Sequence, residues 1–194
     1  MVILIFGLII FLGSHSIRIF AESWRTQMIS QLGEKKFKGV YTLISLLGFA
    51  LIIVGYSQVR QNPIILWQPN TIAMYFALFL NLIAFILLAG TARSNNAIRL
   101  KLKHPMILGV KVWALAHLLA NGTLVDAILF GSFLIWAVLD FRSARNRPVP
   151  FAQNPEVSNK ATIITVISGL ILWVIFVLGL HQWLIGVSPL VGLG

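Results

Sequence analysis

The sequence predicts an all-α fold, a polytopic integral membrane helix bundle of about six transmembrane helices. Three observations predict it. Of 194 residues, 58% are hydrophobic and only 10% charged, with a mean hydropathy of +0.90, values that no water-soluble globule sustains. The apolar residues gather into runs long enough to cross roughly 30 Å of hydrocarbon at about 1.5 Å per residue. The 15 Lys and Arg residues fall between those runs, nearly all of them in alternate loops. Residues 1–194 therefore read as a single transmembrane domain.

Each element follows from a local signal. The first helix is expected over residues 1–20. Its start lacks a basic segment and a small-residue cleavage site, so it is expected to remain as a span. Residues 21–38 are mixed and polar and read as a loop with an interfacial turn at 32–37. The second helix covers about 39–56. Arg60, Pro63, Trp67 and Pro69 then mark an outer loop carrying an aromatic belt residue. The third helix spans about 70–89, with Asn81 near its centre, where a buried amide is expected to bond a neighbouring helix. A basic loop over 90–103 leads to Pro105, a good first residue for a fourth helix over 105–120. Asn121 and Gly122 form a strong turn signal, so the fourth and fifth helices are expected to make a tight antiparallel hairpin. The fifth helix covers about 123–139. Residues 140–160 are the most hydrophilic stretch, with Pro148, Pro150 and Pro155 preventing a continuous helix. The sixth helix runs over about 161–184.

Orientation follows from the basic residues, because Lys-rich and Arg-rich loops are retained in the cytoplasm. Arg18, Arg25, Lys35, Lys36 and Lys38 fall in one such region, and Arg93, Arg99, Lys101, Lys103 and Lys111 in the next. Arg142, Arg145, Arg147 and Lys160 complete that side, which leaves only Arg60 for the other. Both termini are expected on the outer side of the membrane, opposite those loops. The net charge of +10 is accounted for by anionic headgroups of membrane lipid, and no nucleic-acid partner is expected. With no cysteine, disulfides, thiolate nucleophiles, iron-sulfur clusters and cysteine-ligated metals are excluded. No metalloprotease motif, phosphate loop or nucleophile elbow appears.

Chemistry is expected to rest on histidine. An ionisable ring at membrane depth must have its nitrogens satisfied by a neighbour, which makes it a functional candidate. His15 lies about five residues from the inner end of the first helix. His117 lies six residues past Lys111, whose long stem can reach the same headgroups and set the boundary there. On that count both rings occupy one level, the arrangement that holds a b-type haem between two axial imidazoles. If the boundary lies at Pro105 instead, His117 is deeper and the pairing needs helix tilt. Ala114 and Asn121 share the His117 face and leave room beside it. Arg18, with Arg93 or Arg99, is a candidate partner for haem propionates. The alternative is that each histidine bonds a neighbouring helix. His104 reads as a solvated loop residue and His181 as an interfacial anchor. Asp126 is expected to cap its helix, and Asp140 to pair with Arg142 or Arg18.

Residues 90–122, GTARSNNAIRLKLKHPMILGVKVWALAHLLANG, resemble the NnrU family of bacterial membrane proteins. FLGSHSIRI at 11–19, LGEKKFKGVYTLISLLGFALIIVGY at 32–56 and HQWLIG at 181–186 extend the resemblance over nearly the whole chain. The resemblance implies a role in denitrification, in the handling of nitrite and nitric oxide. NnrU proteins are also similar to the plant 15-cis-zeta-carotene isomerase, a membrane enzyme that uses b-type haem to isomerise a polyene. In that relative the haem-linked histidines fall in the blocks matched here by His15 and His117. Its nearby cysteine, an alternative iron ligand, is matched by Ala114, so ligand exchange by thiolate is not available to this chain. The implied activity is thus a haem-dependent cis/trans isomerase acting on an apolar, carotenoid-like substrate. The alternative is a non-catalytic haem sensor or electron carrier. Separately, Lys103, His104, Pro105 and Gly109 resemble the S-adenosylmethionine segment of membrane isoprenylcysteine methyltransferases, which gives a third reading.

Overall fold

A computed structural model describes residues 1–147 and 156–191. Pro148, Pro150 and Pro155 lie outside the described residues. The helices, in order, are α1 (Val2–Phe20), α2 (Glu22–Leu32), α3 (Glu34–Val59), α4 (Thr71–Ala89), α5 (Ala97–Leu102), α6 (Pro105–Ala120), α7 (Leu124–Ala144), α8 (Asn159–Ile175) and α9 (His181–Ile185). A π-helical stretch, Phe176–Leu180, joins α8 to α9. Helices α1, α3, α4, α7 and the continuous run from α8 to α9 are long and apolar enough to cross a membrane. The sixth, α6, is apolar but shorter, at 16 residues.

Two segments expected as loops are helical. Residues 22–32 hold no Gly or Pro, and Glu22 stands in the first turn of α2, where it pairs with Arg25 at 3.0 Å. Glu34 then opens α3 four residues before its partner Lys38, 2.6 Å away. An acid at the helix start with a base three or four residues later supports a helix without any apolar periodicity. The short α5 is built by Asn96, which is fully buried. Its side chain accepts from the Arg99 N–H at 2.8 Å and donates to the Gly90 carbonyl at 2.9 Å, tying the α4–α5 loop to the helix it caps.

Packed neighbours run in the series α3, α1, α7, α6, α4, α8. Lipid offers apolar side chains as good a home as a protein core does, so helices associate in membranes mainly where their backbones can approach closely. Glycine supplies that approach here. A Cβ on Gly7 would lie 2.6 Å from the Ile52 nitrogen, one on Gly48 2.7 Å from the Phe11 nitrogen, and one on Gly55 would enter the Leu4 backbone. These three positions lock α1 onto α3. The core beside them holds Leu4, Leu8, Ile52, Val125, Leu129 and Phe130.

Hydrogen bonds define two ends of the bundle. At one end the α6–α7 turn meets the α3–α4 loop, with Leu66 N donating to the Gly122 carbonyl at 2.8 Å and Leu124 N to the Ile64 carbonyl at 2.8 Å. A side chain at Gly122 would run into the Trp67 carbonyl, so the turn expected at Asn121–Gly122 also serves as a docking point. The Thr123–Asp126 capping box starts α7, as expected of Asp126. Asp126 also accepts from the Tyr56 hydroxyl at 2.7 Å, which ties α7 to α3. At the opposite, basic end lie α2, α5 and the C-termini of α1 and α7. There Ser158 N donates to the Asn95 carbonyl at 3.0 Å and Ala97 N to Thr162 Oγ1 at 2.9 Å. Asn81 bonds the Ala77 carbonyl of its own helix at 2.9 Å instead of crossing to another, which costs no interhelical partner at mid-span.

A candidate cofactor cavity at the basic end

The basic end encloses a cavity of about 550 Å³, in the size range of small-molecule sites. It is lined from α1 by His15 and Arg18, from α2 by Arg25, from α3 by Lys38 and Tyr41, and from α7 by Trp136, Asp140 and Ala144. Arg99, Lys103, His104 and the first residues of α6 close it. With Arg147, six cations among the described residues thus face one carboxylate, Asp140, over walls that are mostly apolar.

His15 is held firmly. Its Nδ1 donates to the Phe11 carbonyl one turn earlier at 2.7 Å, and because a carbonyl only accepts, the lone pair resides on Nε2. Phe11 stacks on the ring at 4.3 Å, Tyr41 lies 5.3 Å away, and Trp136 meets it edge-on at 6.0 Å. This is the support that orients an imidazole toward a metal.

His104 departs from the sequence expectation of a solvated loop residue. It caps α6, lies edge-on to Phe141 at 6.5 Å, and its Nε2 is buried without a hydrogen-bond partner. Burial pushes the imidazole below its ordinary pKa and the Arg147 charge adds to this, against the Ala144 carbonyl and Asp140. Two further buried polar atoms of the cavity wall also have no partner, Trp136 Nε1 and Arg147 Nε. Both are obligate donors. Buried donors are normally satisfied, so an acceptor in the cavity would complete both.

Asp140 pairs with Arg147 rather than with Arg142 or Arg18. Arg147 stands at position i+7 from Asp140, just past the end of α7, and its guanidinium donates to the Asp140 carboxylate and, at 3.5 Å, to the Asp140 carbonyl. Arg18 lines the cavity beside Glu22, 3.9 Å away. Arg99 also lines it and donates to the Thr91 carbonyl. Arg93 is exposed and is not among the lining residues; its carbonyl serves Asn96.

The cavity does not include His117. Helix α6 begins at Pro105, which places His117 about 18 Å from the basic end of its helix at 1.5 Å per residue, against about 8 Å for His15. The Lys111 ammonium lies over the Phe141 ring, 4.8 Å from the centroid, so its stem runs toward the basic end of α7. His117 sits toward the other end of the bundle, stacked on Phe130 at 4.5 Å, with Nδ1 donating to the Trp113 carbonyl at 2.9 Å. A chain of ring contacts, His15–Phe11–Phe133–Trp113–His117, links the two histidines at 4.3, 5.7, 5.4 and 5.0 Å. Ala114 is fully buried on α6 and does not line the cavity. His181 bonds the Val187 carbonyl at 2.6 Å in the terminal segment.

Trp136, Arg147 and Tyr41 are the cavity residues that sequence reasoning passed over. Trp136 and Asp140 stand one helical turn apart, a signal that a face of α7 was polar toward its end. Among the described residues no group of three or more His, Asp or Glu is placed to hold a bare metal ion. No curated protein and no solved structure matches the chain. The family described as NnrU protein does match, over residues 3–189, and with nearly the whole helical bundle covered the chain belongs to the NnrU family.

Proposed function

We propose that this NnrU-family protein binds haem b in the basic-end cavity. The observation that carries the reading is the cavity's composition: supported imidazoles, a cationic rim and two unpartnered donors around apolar walls. Haem b is amphiphilic, carries two carboxylates and needs only axial nitrogens from the protein, so the lack of a bare-ion cluster is no obstacle. His15 would supply one nitrogen through Nε2. His104 is the second imidazole of the same cavity, and its buried Nε2 has no partner. Arg18, Arg99, Arg147 and Trp136 would hold the propionate oxygens.

When bound, haem supplies one-electron chemistry and a binding site for small π-acids such as nitric oxide. The chain's own part is to fix the imidazole tautomer and neutralise the carboxylates. A cavity of about 550 Å³ suits one ligand of drug size and leaves little space for a long polyene beside a macrocycle. That favours the sensor or electron-carrier reading over the isomerase reading. A methyltransferase reading fits less well, because the sulfonium of S-adenosylmethionine would enter a site already rich in cations.

The deciding experiment is an absorption spectrum of purified protein, oxidised and then reduced with dithionite. A Soret band with sharp α and β bands on reduction is expected, and protein that takes up no haem on reconstitution overturns the proposal. Expression in a background that accumulates a cis-carotene separates the two activities, since only an isomerase converts it.

A further inference from the structure

The seam between α1 and α7 is open toward the lipid. Ile5, Leu8, Ile9, Leu12, Gly13 and Ser16 of α1 face Ile128, Ser132, Ile135, Trp136 and Leu139 of α7 across a groove of about 460 Å³. Its outer residues are well exposed, Ile9 at 63% and Ile135 at 65%. On α1 the groove extends from Ile5 to Ser16, about 16 Å at 1.5 Å per residue, close to the depth of one leaflet. A second helix of that length and roughly 10 Å across would fill more than twice the groove's volume, so the space suits a single hydrocarbon chain. Its walls are almost wholly apolar, and the Ser16 hydroxyl is spent on the Leu12 carbonyl, 2.6 Å away.

Among the described residues no charged one lines the groove itself, and charge begins past its basic end. The α7 stripe Ile128, Ser132, Ile135, Leu139 advances in steps of four and three residues, and the next position of that stripe is Arg142, exposed at the basic end. Arg142 forms none of the chain's ion pairs among the described residues, and its neighbour Arg145 is exposed as well. Phe20 and Trp24, 73% and 47% exposed, stand at the same end, where aromatic residues sit among headgroups.

We propose that the α1/α7 groove holds one acyl chain of an anionic phospholipid whose headgroup phosphate is bound at Arg142. This site is separate from the haem cavity, from which the Trp136 side chain divides it. Trp136 is the residue the two share.

Delipidated protein in detergent, titrated with dioleoyl phosphatidylglycerol or dioleoyl phosphatidylcholine and read by native mass spectrometry, tests it. One phosphatidylglycerol is expected to bind about fivefold more tightly than phosphatidylcholine, the preference expected for one basic side chain near a lipid surface. Arg142→Gln should erase that preference. Gly13→Leu should weaken both lipids at least tenfold; a Cβ at Gly13 meets nothing within 4 Å, and leucine is the better helix former, so the variant stays folded. Arg60→Gln, at the far end of the bundle, should change nothing. Equal binding of the two lipids, a preference that survives Arg142→Gln, binding that survives Gly13→Leu, or a second protein copy in place of lipid each overturns the proposal. The Soret band of the same samples reports the haem reading independently.

Discussion

Replacing Asp140 by Asn should move stability and ligand affinity in opposite directions. Among the described residues Asp140 is the only acid lining a cavity that six cations surround, and its pair with Arg147 is largely buried, the two side chains being 12% and 19% exposed. Removing one partner of a buried pair costs roughly 3–5 kcal/mol. Asn keeps one acceptor oxygen, so we expect about 2 kcal/mol, which for a chain of this size lowers Tm by about 4–8 °C. The same change removes a negative charge from the cavity wall. At about 7 Å and an effective dielectric near 20, one unit charge repels a ligand carboxylate by about 2 kcal/mol, and after screening a roughly tenfold gain in affinity for an anionic ligand should remain. Thermal unfolding of haem-free protein in detergent, followed by haem titration under the same conditions, measures both. A lowered Tm with unchanged or weakened haem affinity would refute the electrostatic account of the cavity.

Three further outcomes follow from the geometry. His15→Ala should abolish the Soret band on reconstitution, and of His104→Ala and His117→Ala the cavity lining makes His104→Ala the one that shifts it; a shift confined to His117→Ala would move the second ligand out of this cavity. Gly55→Leu should cost about 3 kcal/mol or more, because the new side chain enters the Leu4 backbone rather than a movable side chain, and a Tm unchanged from the parent would refute the glycine lock between α1 and α3. His104 is held neutral by burial and by Arg147, so as pH falls below about 6.5 the unfolded chain takes up the proton first and stability declines. His104→Gln should flatten that decline in a Tm series between pH 7.5 and 5.

The spans were legible because hydrocarbon imposes a length and a composition that few other structures share. Pro105 and the Asn121–Gly122 pair fixed α6 to within a residue, and the basic loops all gather at one end of the bundle. The α2 and α5 helices were not legible, since their support comes from ion pairs and from one buried Asn96 side chain rather than from apolar periodicity. For the site, His15 and its cationic surroundings could be read from position along α1. The level of His117 could not be read in the same way, because it depends on where α6 sits against α1 and α7, and twelve residues separate His117 from the basic start of α6 while five separate His15 from the end of α1. His104 and Trp136 gained their importance only through neighbours distant in sequence, Phe141, Arg147 and Tyr41, which no local pattern announces.

The sixteen residues of α6 extend only about 24 Å, several ångströms less than a hydrocarbon layer of roughly 30 Å. So short a span is accommodated by a locally thinner bilayer or by flanking side chains that reach the interface, and Lys103 and His104 flank α6 at the basic end. Thinning at that end would bring the water-lipid boundary to the cavity mouth, and a molecule dissolved in the adjoining aqueous phase would then enter without first partitioning into the membrane.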